Sequence, residues 1–383
     1  MSTLILLTKL FIPAQRPELV SRSHLVDQLN SGLSRKLTLI SAPAGFGKTT
    51  VVMEWINANG DDASSPFLVS WLSLDEDDND PVRFLTYLVS ALNRIPGLEA
   101  EIGVDALQMV QASQPPSPQM ILTAVINEIV MVTGKIVLVL DDYHLIDSRS
   151  VHDALLFQLE NLPPQLHLVI TTREDPPIPI ARLRARGHLN EIRAIDLRFS
   201  LEETANFLNQ MMGLNLSAVD IAVLETRTEG WSAGLQLAAI SMQGHKDVSR
   251  FINSFSGSNR FVLDYLIEEV LEQQPKEVQD FLLQTSILDR LTGSLCDALT
   301  DINDGQTMLE TLDQANLFTI PLDNERRWYR YHHLFAELLQ QRLNTTHPNL
   351  IKDLHAKAVT WYDRNGDLSH AIQHAFAGDD IEM

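Results

Sequence analysis

The sequence of 383 residues contains a single cysteine, Cys296, and this scarcity excludes a fold held together by internal disulfide bonds. It also lacks long apolar runs, because no stretch approaches the length of about 20 residues that a membrane-spanning helix needs. The start, residues 1–9, has an apolar patch but no basic segment before it and no small-residue cleavage site after it, so no signal peptide is predicted. We therefore expect a soluble, cytoplasmic protein with no membrane contact.

Basic residues are few as well. The chain has 29 Lys and Arg against 50 Asp and Glu, which gives a formal net charge of -21. Such an acidic surface repels nucleic acid, and no dense basic patch offsets it, so we expect no DNA binding by this chain itself. With 45% hydrophobic and 21% charged residues the composition is that of a folded protein, and the length predicts roughly two to four domains.

The stretch 41–50, Ser-Ala-Pro-Ala-Gly-Phe-Gly-Lys-Thr-Thr, predicts a phosphate-binding loop. An apolar strand precedes it at 36–40 and a helix follows it, which is the context that such a loop requires. Glycines 45 and 47 allow backbone N–H groups to turn towards an anion, and the helix start adds further donors. Ala42 departs from the usual pattern, in which a glycine stands first. The alternative is a glycine-rich turn that merely exposes a lysine.

The side chains after the glycines have distinct predicted roles. Lys48 would reach the β- and γ-phosphates, Thr49 would place its hydroxyl on Mg²⁺, and Thr50 would lie near the α-phosphate. The residues predicted to bind nucleotide through this loop are Ala44, Gly45, Gly47, Lys48, Thr49 and Thr50.

A second candidate element is the apolar run 135–140, which ends in Asp141 and Asp142. A continuous apolar run is typical of a parallel strand buried on both faces, and ligands of open α/β sheets bind at the carboxyl ends of such strands. Asp141 would hold Mg²⁺, while Asp142 would polarise the attacking water and so act with Lys48 in catalysis. The alternative is a strand that ends in a turn favouring aspartate.

Further strands are predicted at 67–74, 166–171 and 192–199, with helices at 21–29, 81–95 and 118–132. Their alternation predicts a parallel, doubly wound sheet. The acidic stretch 75–80 is expected to be a solvated loop that caps the next helix. Arg173, after the 166–171 strand, is a candidate sensor of the γ-phosphate, with an ordinary surface arginine as the alternative.

The chain becomes helical from Ser200, where Ser-Leu-Glu-Glu predicts a capping box. Amphipathic helices follow to about residue 342, interrupted by two strand-like pieces, 317–321 and 327–335. Helices followed by a hairpin and a last helix suggest a winged-helix unit whose wing is not basic.

Taken together, these motifs resemble the nucleotide-binding module of the MalT-like regulators, which are large LuxR-family transcriptional activators of the STAND class of signal-transducing ATPases. The residues that carry the resemblance are Thr8–Leu10, Pro13, Val20–Arg22, Ser41–Thr50, Trp71–Leu74, Asp78–Pro81, Leu140–His144, Thr172–Arg173, Pro176–Pro177, Arg182–Arg184, Glu229–Trp231 and Tyr329–His332. The resemblance implies an α/β P-loop sheet followed by a helical lid and a winged helix. The implied domains are 1–33 (adenine-covering segment), 34–199 (nucleotide-binding domain), 200–253 (lid), 254–342 (winged helix) and 343–383 (start of a helical-repeat arm).

The resemblance also implies roles for individual residues. Val20 and Arg22 match the segment that covers adenine, Arg173 matches the first sensor, and His332 matches a histidine that contacts the β-phosphate of ADP and locks a closed state. Without the resemblance, His332 would be an ordinary core or surface histidine.

These roles imply a switch that uses ATP/ADP and Mg²⁺: it rests with ADP, exchanges it for ATP, self-associates in the ATP form and resets by slow hydrolysis. The inducer would bind a sensor beyond residue 383. Two other functions fit the same residues, a constitutive ATPase of an oligomeric remodelling machine and a scaffold with a purely structural nucleotide.

Overall fold

A computed structural model describes residues 5–14, 19–60, 66–96, 98, 102–112, 114–243 and 248–379. Residues 1–4, on which the expected absence of a signal peptide partly depends, lie outside these ranges. The chain groups into two compact units, the first comprising Met1–Ala42 and Phe46–Leu197, the second Pro43–Gly45 and Arg198–Met383. Within the described ranges, we find no helix that combines the length and the apolar character needed to cross a membrane.

The first unit is an α/β sheet with helices between its strands. Its strands are β1 (Leu37–Ser41), β2 (Leu68–Ser73), β3 (Ile136–Asp141), β4 (Leu166–Thr172) and β5 (Leu189–Arg193). Its helices are α1 (Ser23–Gly32), α2 (Lys48–Asn59), α3 (Pro81–Asn93), α4 (Val104–Val110), α5 (Pro118–Val130), α6 (Arg149–Glu160), α7 (Ile180–Ala185) and α8 (Ala194–Leu197). The strand order is β2-β3-β4-β1-β5, and every neighbouring pair is parallel, which confirms the predicted sheet.

The strand order decides which side chains meet at the carboxyl edge. Strand β4 lies between β1, which leads into the phosphate loop, and β3, which ends in Asp141. All residues of β1, β3 and β4 are buried, as expected of apolar strands covered on both faces. The end of β4 therefore lies between the two predicted halves of the phosphate site.

The prediction of a fifth strand at 192–199 is wrong in position, because the strand covers Leu189–Arg193 instead. Strand β5 ends at Arg193, and the next residues form the helical turn α8. The Asp196 carboxylate accepts a hydrogen bond of 2.8 Å from the backbone N–H of Arg193, which stabilises a turn instead of an extended chain. Local side-chain capping overrides the alternating pattern of 192–199.

The acidic stretch 75–80 caps a helix as predicted, but it is not uniformly solvated. The Asp80 carboxylate accepts from the N–H of Arg83, which caps α3. Asp78 is fully buried, where it pairs with Lys9 and lies 3.3 Å from Nε of Arg83. Lys9 belongs to the short 3₁₀ turn Leu7–Leu10, and its Nζ lies 4.6 Å from the centre of the Tyr87 ring. The buried ion pair ties the start of the described chain to the sheet.

The second unit is helical with one small antiparallel hairpin. Its helices are α9 (Leu201–Ala205), α10 (Ala218–Thr228), α11 (Ser232–Met242), α12 (Val248–Ser254), α13 (Arg260–Leu266), α14 (Lys276–Thr285), α15 (Gly293–Thr300), α16 (Gly305–Gln314), α17 (His333–Thr346), α18 (Pro348–Arg364) and α19 (Leu368–Asp379). Its strands are β6 (Thr319–Pro321) and β7 (Tyr329–Tyr331). The capping box predicted at Ser200 is confirmed, because its hydroxyl accepts from the N–H of Glu203, whose carboxylate accepts from the N–H of Ser200.

The hairpin completes a compact three-helix arrangement. Helices α14, α15 and α16 precede it, and Leu291 pairs with Tyr329 through two backbone hydrogen bonds of 2.8 and 2.9 Å. This order of three helices and a short hairpin matches the predicted winged-helix unit.

We expect Lys9→Met to lower the free energy of unfolding by about 3 kcal/mol, because it leaves the buried Asp78 carboxylate with only part of its compensation. The measurement is urea unfolding followed by circular dichroism. The control is Lys276→Met, since Lys276 forms an exposed ion pair with Asp280 that contributes about 0.5 kcal/mol or less. Equal losses in the two variants would contradict the anchoring role of Lys9.

Candidate functional site

The phosphate loop has the backbone conformation that its glycines predict. Gly45 and Gly47 have φ values of 75° and 78°, in the left-handed region that side chains with a Cβ disfavour. Helix α2 begins at Lys48, directly after Gly47, so its first unpaired N–H groups lie at the end of the loop. A helix N-terminus of this kind attracts anions.

Lys48 is buried to 8% exposure, and its Nζ donates a hydrogen bond of 2.9 Å to the carbonyl oxygen of Ala42. Burial lowers its pKa to about 8, and the positive charge of Arg173 adds to the effect. Arg173 follows β4 directly, so the predicted sensor and the predicted loop lysine are close enough to interact electrostatically. An anion bound here would favour the charged form of Lys48.

Asp141 and Thr49 meet at the end of β3, as the sequence predicts. Oγ1 of Thr49 donates a hydrogen bond of 2.9 Å to Oδ1 of Asp141, and the hydroxyl of Thr171 donates to the same oxygen. Burial and the neighbouring Asp142 together raise the pKa of Asp141 to about 6, against the opposing effect of the two hydroxyls and Lys48. A hydroxyl and a carboxylate side by side fit a Mg²⁺ ion that takes its other ligands from phosphate and water. A bound cation would also keep the buried carboxylate ionised.

Asp142 lies just outside this pair. Its backbone is left-handed, with φ 59°, and its N–H donates to Oγ1 of Thr171 at 3.1 Å. Its side chain is 45% exposed, so the carboxylate is open to water. Thr171 thus orders both aspartates, although no role for it was predicted from the sequence. The feature that could have indicated its role is its position, one residue before the end of β4, the strand between β1 and β3.

The two residues predicted to cover adenine are buried. Val20 is 7% exposed and Arg22 is 6% exposed. The Arg22 guanidinium donates to the carbonyl oxygens of Leu197 and Asp196, and the Arg22 N–H donates to the Glu54 carboxylate. Arg22 therefore fastens α1 to α8, and its role towards adenine stays a prediction.

Part of the phosphate loop, Pro43–Gly45, groups with the second unit. The indole Nε1 of Trp231 donates to the carbonyl oxygen of Ala44 at 3.0 Å. The carbonyl oxygen of Gly45 accepts from the Ser232 hydroxyl at 2.7 Å and from the N–H of Ala233 at 3.0 Å. These contacts fix the loop carbonyls. The motif Glu229–Trp231 was the feature of the sequence that pointed to this region.

His332 is the predicted nucleotide contact of the second unit. It is 2% exposed, and its Nε2 lies 2.9 Å from the carbonyl oxygen of Thr228, so Nε2 carries the proton and donates. Its ring meets those of Trp231 and Phe318 edge-on, at 6.1 and 5.6 Å between centres. Its Nδ1 is buried and has no hydrogen-bond partner among the residues that the structure describes. Burial lowers the pKa of His332 to about 4, so the ring is neutral.

Glu229 organises the charges next to this histidine. Both of its carboxylate oxygens accept from Arg330 at 2.8 Å, and Arg198 lies 3.3 Å away. Burial alone would raise the pKa of Glu229, but Arg330, His332 and the backbone N–H of His333 together outweigh it and lower the pKa to about 2. The pair joins the end of α10 to β7, the strand that leads into His332.

Several known proteins are similar in sequence to this chain. Residues 267–351 match the family model "MalT winged helix domain". The HTH-type transcriptional regulator MalT of Vibrio cholerae is 35% identical over 379 residues, which are 98% of this chain and 41% of that protein. The serine/threonine-protein kinase PknK of Mycobacterium tuberculosis is 35% identical over 363 residues, which are 94% of this chain and 32% of that protein. The chain therefore spans well under half the length of either relative.

A solved structure shares the fold. A Walker-type ATPase of Pyrococcus abyssi aligns with a TM-score of 0.56 and 14% sequence identity, covering 85% of this chain and 97% of that one. At this identity the likeness concerns the fold alone. The parallel P-loop sheet and the winged helix predicted from the sequence are both confirmed.

We expect Gly45→Ala to destabilise the protein by about 2 kcal/mol more than Gly366→Ala. Both glycines have a positive φ, of 75° and 79°, so both substitutions strain the backbone by about 1 kcal/mol. A Cβ at Gly45 would also lie 2.5 Å from that of Ala233 and 2.9 Å from Nε1 of Trp231, whereas a Cβ at Gly366 meets nothing within 4 Å. Urea unfolding midpoints test this, and equal losses would show that packing around Gly45 adds nothing.

Proposed function

We propose that this chain, which is 35% identical to the MalT regulator of Vibrio cholerae over 379 residues, is a switch operated by adenine nucleotides. Homology and fold support a nucleotide-binding regulatory module. The finer proposal is that the module rests with ADP, exchanges it for ATP on activation and returns to rest by slow hydrolysis. Self-association of the ATP form belongs to the same proposal.

The observation that carries this proposal is the hydrogen bond of 2.9 Å between Thr49 and Asp141. The two residues are far apart in sequence, one after the loop glycines and the other at the end of a buried strand. Their contact beside the buried Lys48 is the arrangement that nucleoside triphosphate hydrolases need for a phosphate chain and its metal ion.

Each residue has a proposed task in this arrangement. The backbone of Gly45 and Gly47 and the ammonium of Lys48 would hold phosphates, and Thr49 and Asp141 would hold Mg²⁺. When bound, Mg²⁺ supplies positive charge that offsets the charge of the phosphate oxygens. The exposed Asp142 carboxylate would accept a hydrogen bond from the attacking water.

We expect Lys48→Ala and Asp142→Asn to separate binding from hydrolysis. Lys48→Ala removes a buried charge-assisted contact and should weaken ATP and ADP at least about 10-fold. Asp142→Asn should leave affinity within about 3-fold and slow phosphate release about 100-fold or more. Calorimetry and single-turnover phosphate release with MgATP measure the two effects.

The control for Asp142→Asn is Asp153→Asn, because Asp153 is an exposed carboxylate on α6 that forms a surface ion pair of 4.0 Å with Arg149. If the wild-type protein retains no nucleotide on purification and binds neither ADP nor ATP with Mg²⁺, the proposal fails. Turnover of about 1 s⁻¹ or more without any activator would instead favour a constitutive ATPase. Unchanged behaviour of Asp142→Asn would favour a structural nucleotide.

We also propose that His332 reads the bound nucleotide. Because its Nε2 proton is committed to Thr228, only the imidazolium form has a second N–H, at Nδ1, to donate to a phosphate oxygen. Glu229 raises the pKa of this ring, while burial, Arg198 and Arg330 lower it. A phosphate contact would therefore couple ADP binding to the uptake of one proton.

The sign of this coupling can be measured. The pKa of His332 in the free protein is about 4, and a phosphate contact raises it, so protonation favours the complex. We expect ADP affinity to increase as the pH falls from about 8 to about 6, by at most about tenfold per pH unit. His332→Asn should remove the part of this increase that His332 causes and leave the part that comes from protonation of Lys48, whose pKa is about 8. Identical pH profiles for the wild type and His332→Asn would contradict the proposed contact.

A further inference from the structure

His144 lies three residues after Asp141 and is assigned no role by the arrangement described so far. It belongs to the short 3₁₀ turn Tyr143–Leu145, which begins directly after Asp142. Its first residue, Tyr143, is 1% exposed, and the Tyr143 hydroxyl lies 2.8 Å from Nδ1 of His152. The residue before His144 is therefore anchored, and the His144 side chain itself is only 13% exposed.

The Nδ1 atom of His144 is buried, and it has no hydrogen-bond partner within the part of the chain that the structure describes. A buried polar atom of this kind is costly unless something pairs with it. The Asp142 carboxylate is close by, with 3.9 Å between Nδ1 and Oδ1. That separation is too long for a direct hydrogen bond, but it is close to the span of about 4 Å between two acceptors that share one water molecule.

The ring is also neutral. Burial lowers the pKa of His144 to about 3, and the positive charges of Arg173 and Lys48 add to this effect. A neutral imidazole keeps one nitrogen as an acceptor. Nδ1 and the Asp142 carboxylate can thus both accept hydrogen bonds, one from each hydrogen of the same water.

We propose that His144 and Asp142 together hold the water molecule that attacks the γ-phosphate of ATP, with Nδ1 of His144 and Oδ1 of Asp142 as its two acceptors. The inference rests on the proposed function, because it requires that the site bind ATP. With both hydrogens held, the lone pairs of the water oxygen point away from the protein acceptors and towards the ligand.

The step conserves atoms and charge. The water oxygen forms a bond to the γ-phosphorus as the bond from phosphorus to the bridging oxygen breaks, and this releases ADP and inorganic phosphate. One water proton passes to the Asp142 carboxylate and from there to solvent, to which this side chain is open. His144 accepts a hydrogen bond throughout and takes no proton, so it orients the nucleophile.

The test compares three substitutions of His144 in the whole protein. Asn places an amide oxygen where Nδ1 lies, Gln places it one methylene further out, and Phe keeps the ring without any acceptor. We expect His144→Asn to hydrolyse MgATP within about 5-fold of the wild type. We expect His144→Gln and His144→Phe to be slower by about 10-fold or more, with affinity for ATP unchanged in all three.

Single-turnover release of phosphate from radiolabelled ATP gives the rate, and calorimetry gives the affinity and shows that each variant folds. If His144→Phe or His144→Gln hydrolyses as fast as the wild type, the inference is overturned while the proposed function stands. If the wild type itself neither binds nor hydrolyses ATP, the proposed function has failed. If His144→Phe does not fold, the comparison of His144→Asn with His144→Gln decides, because both substitutions introduce a neutral amide.

Discussion

The hydrogen bond from Thr49 to Asp141 is the contact on which the carboxyl edge of the sheet depends. It requires β3 and the start of α2 to meet across β4, which only the strand order of this sheet allows. Once they meet, a carboxylate is buried beside a lysine that is buried as well. The two opposite charges compensate each other in part, and a phosphate chain with its cation would add a further partner of opposite sign to each.

The same principle explains the second unit. Its buried charge, Glu229, has its compensation within the protein, because Arg330 pairs with both oxygens. That pair holds β7 at the end of α10, where His332 stays neutral and Trp231 binds the loop carbonyl of Ala44. In this unit an arginine neutralises the buried carboxylate. In the first unit, Asp141 accepts hydrogen bonds from two hydroxyls and keeps a raised pKa of about 6. The first unit is therefore the one that gains more from a bound cation.

Much of this arrangement could be predicted from the sequence because it is encoded locally. The apolar runs before Ser41 and Asp141 give strands, and the glycines between Ser41 and Lys48 give the loop. The parallel sheet and the winged helix followed from the order of elements. The fifth strand was misplaced because the backbone N–H of Arg193 donates to the Asp196 carboxylate and ends the strand early. Alternation of apolar and polar residues does not reveal a local hydrogen bond of this kind.

No role was predicted for Asp78, Thr171 or His144, and the reason is a different one. Their roles are set by partners that are remote in sequence or by burial, and composition cannot supply either: the acidic stretch around Asp78 reads as solvated until Lys9 is seen to pair with it. Thr171 matters only because β4 lies between β1 and β3.

His144 shows how far such dependence extends. A histidine after two aspartates would be expected to carry a raised pKa, since carboxylates favour the imidazolium. Here the opposite holds, because burial has the largest effect on the pKa of His144 and the positive charges of Arg173 and Lys48 act in the same direction. The cations proposed to hold phosphate thus add to the effect of burial in keeping His144 neutral and able to accept a hydrogen bond.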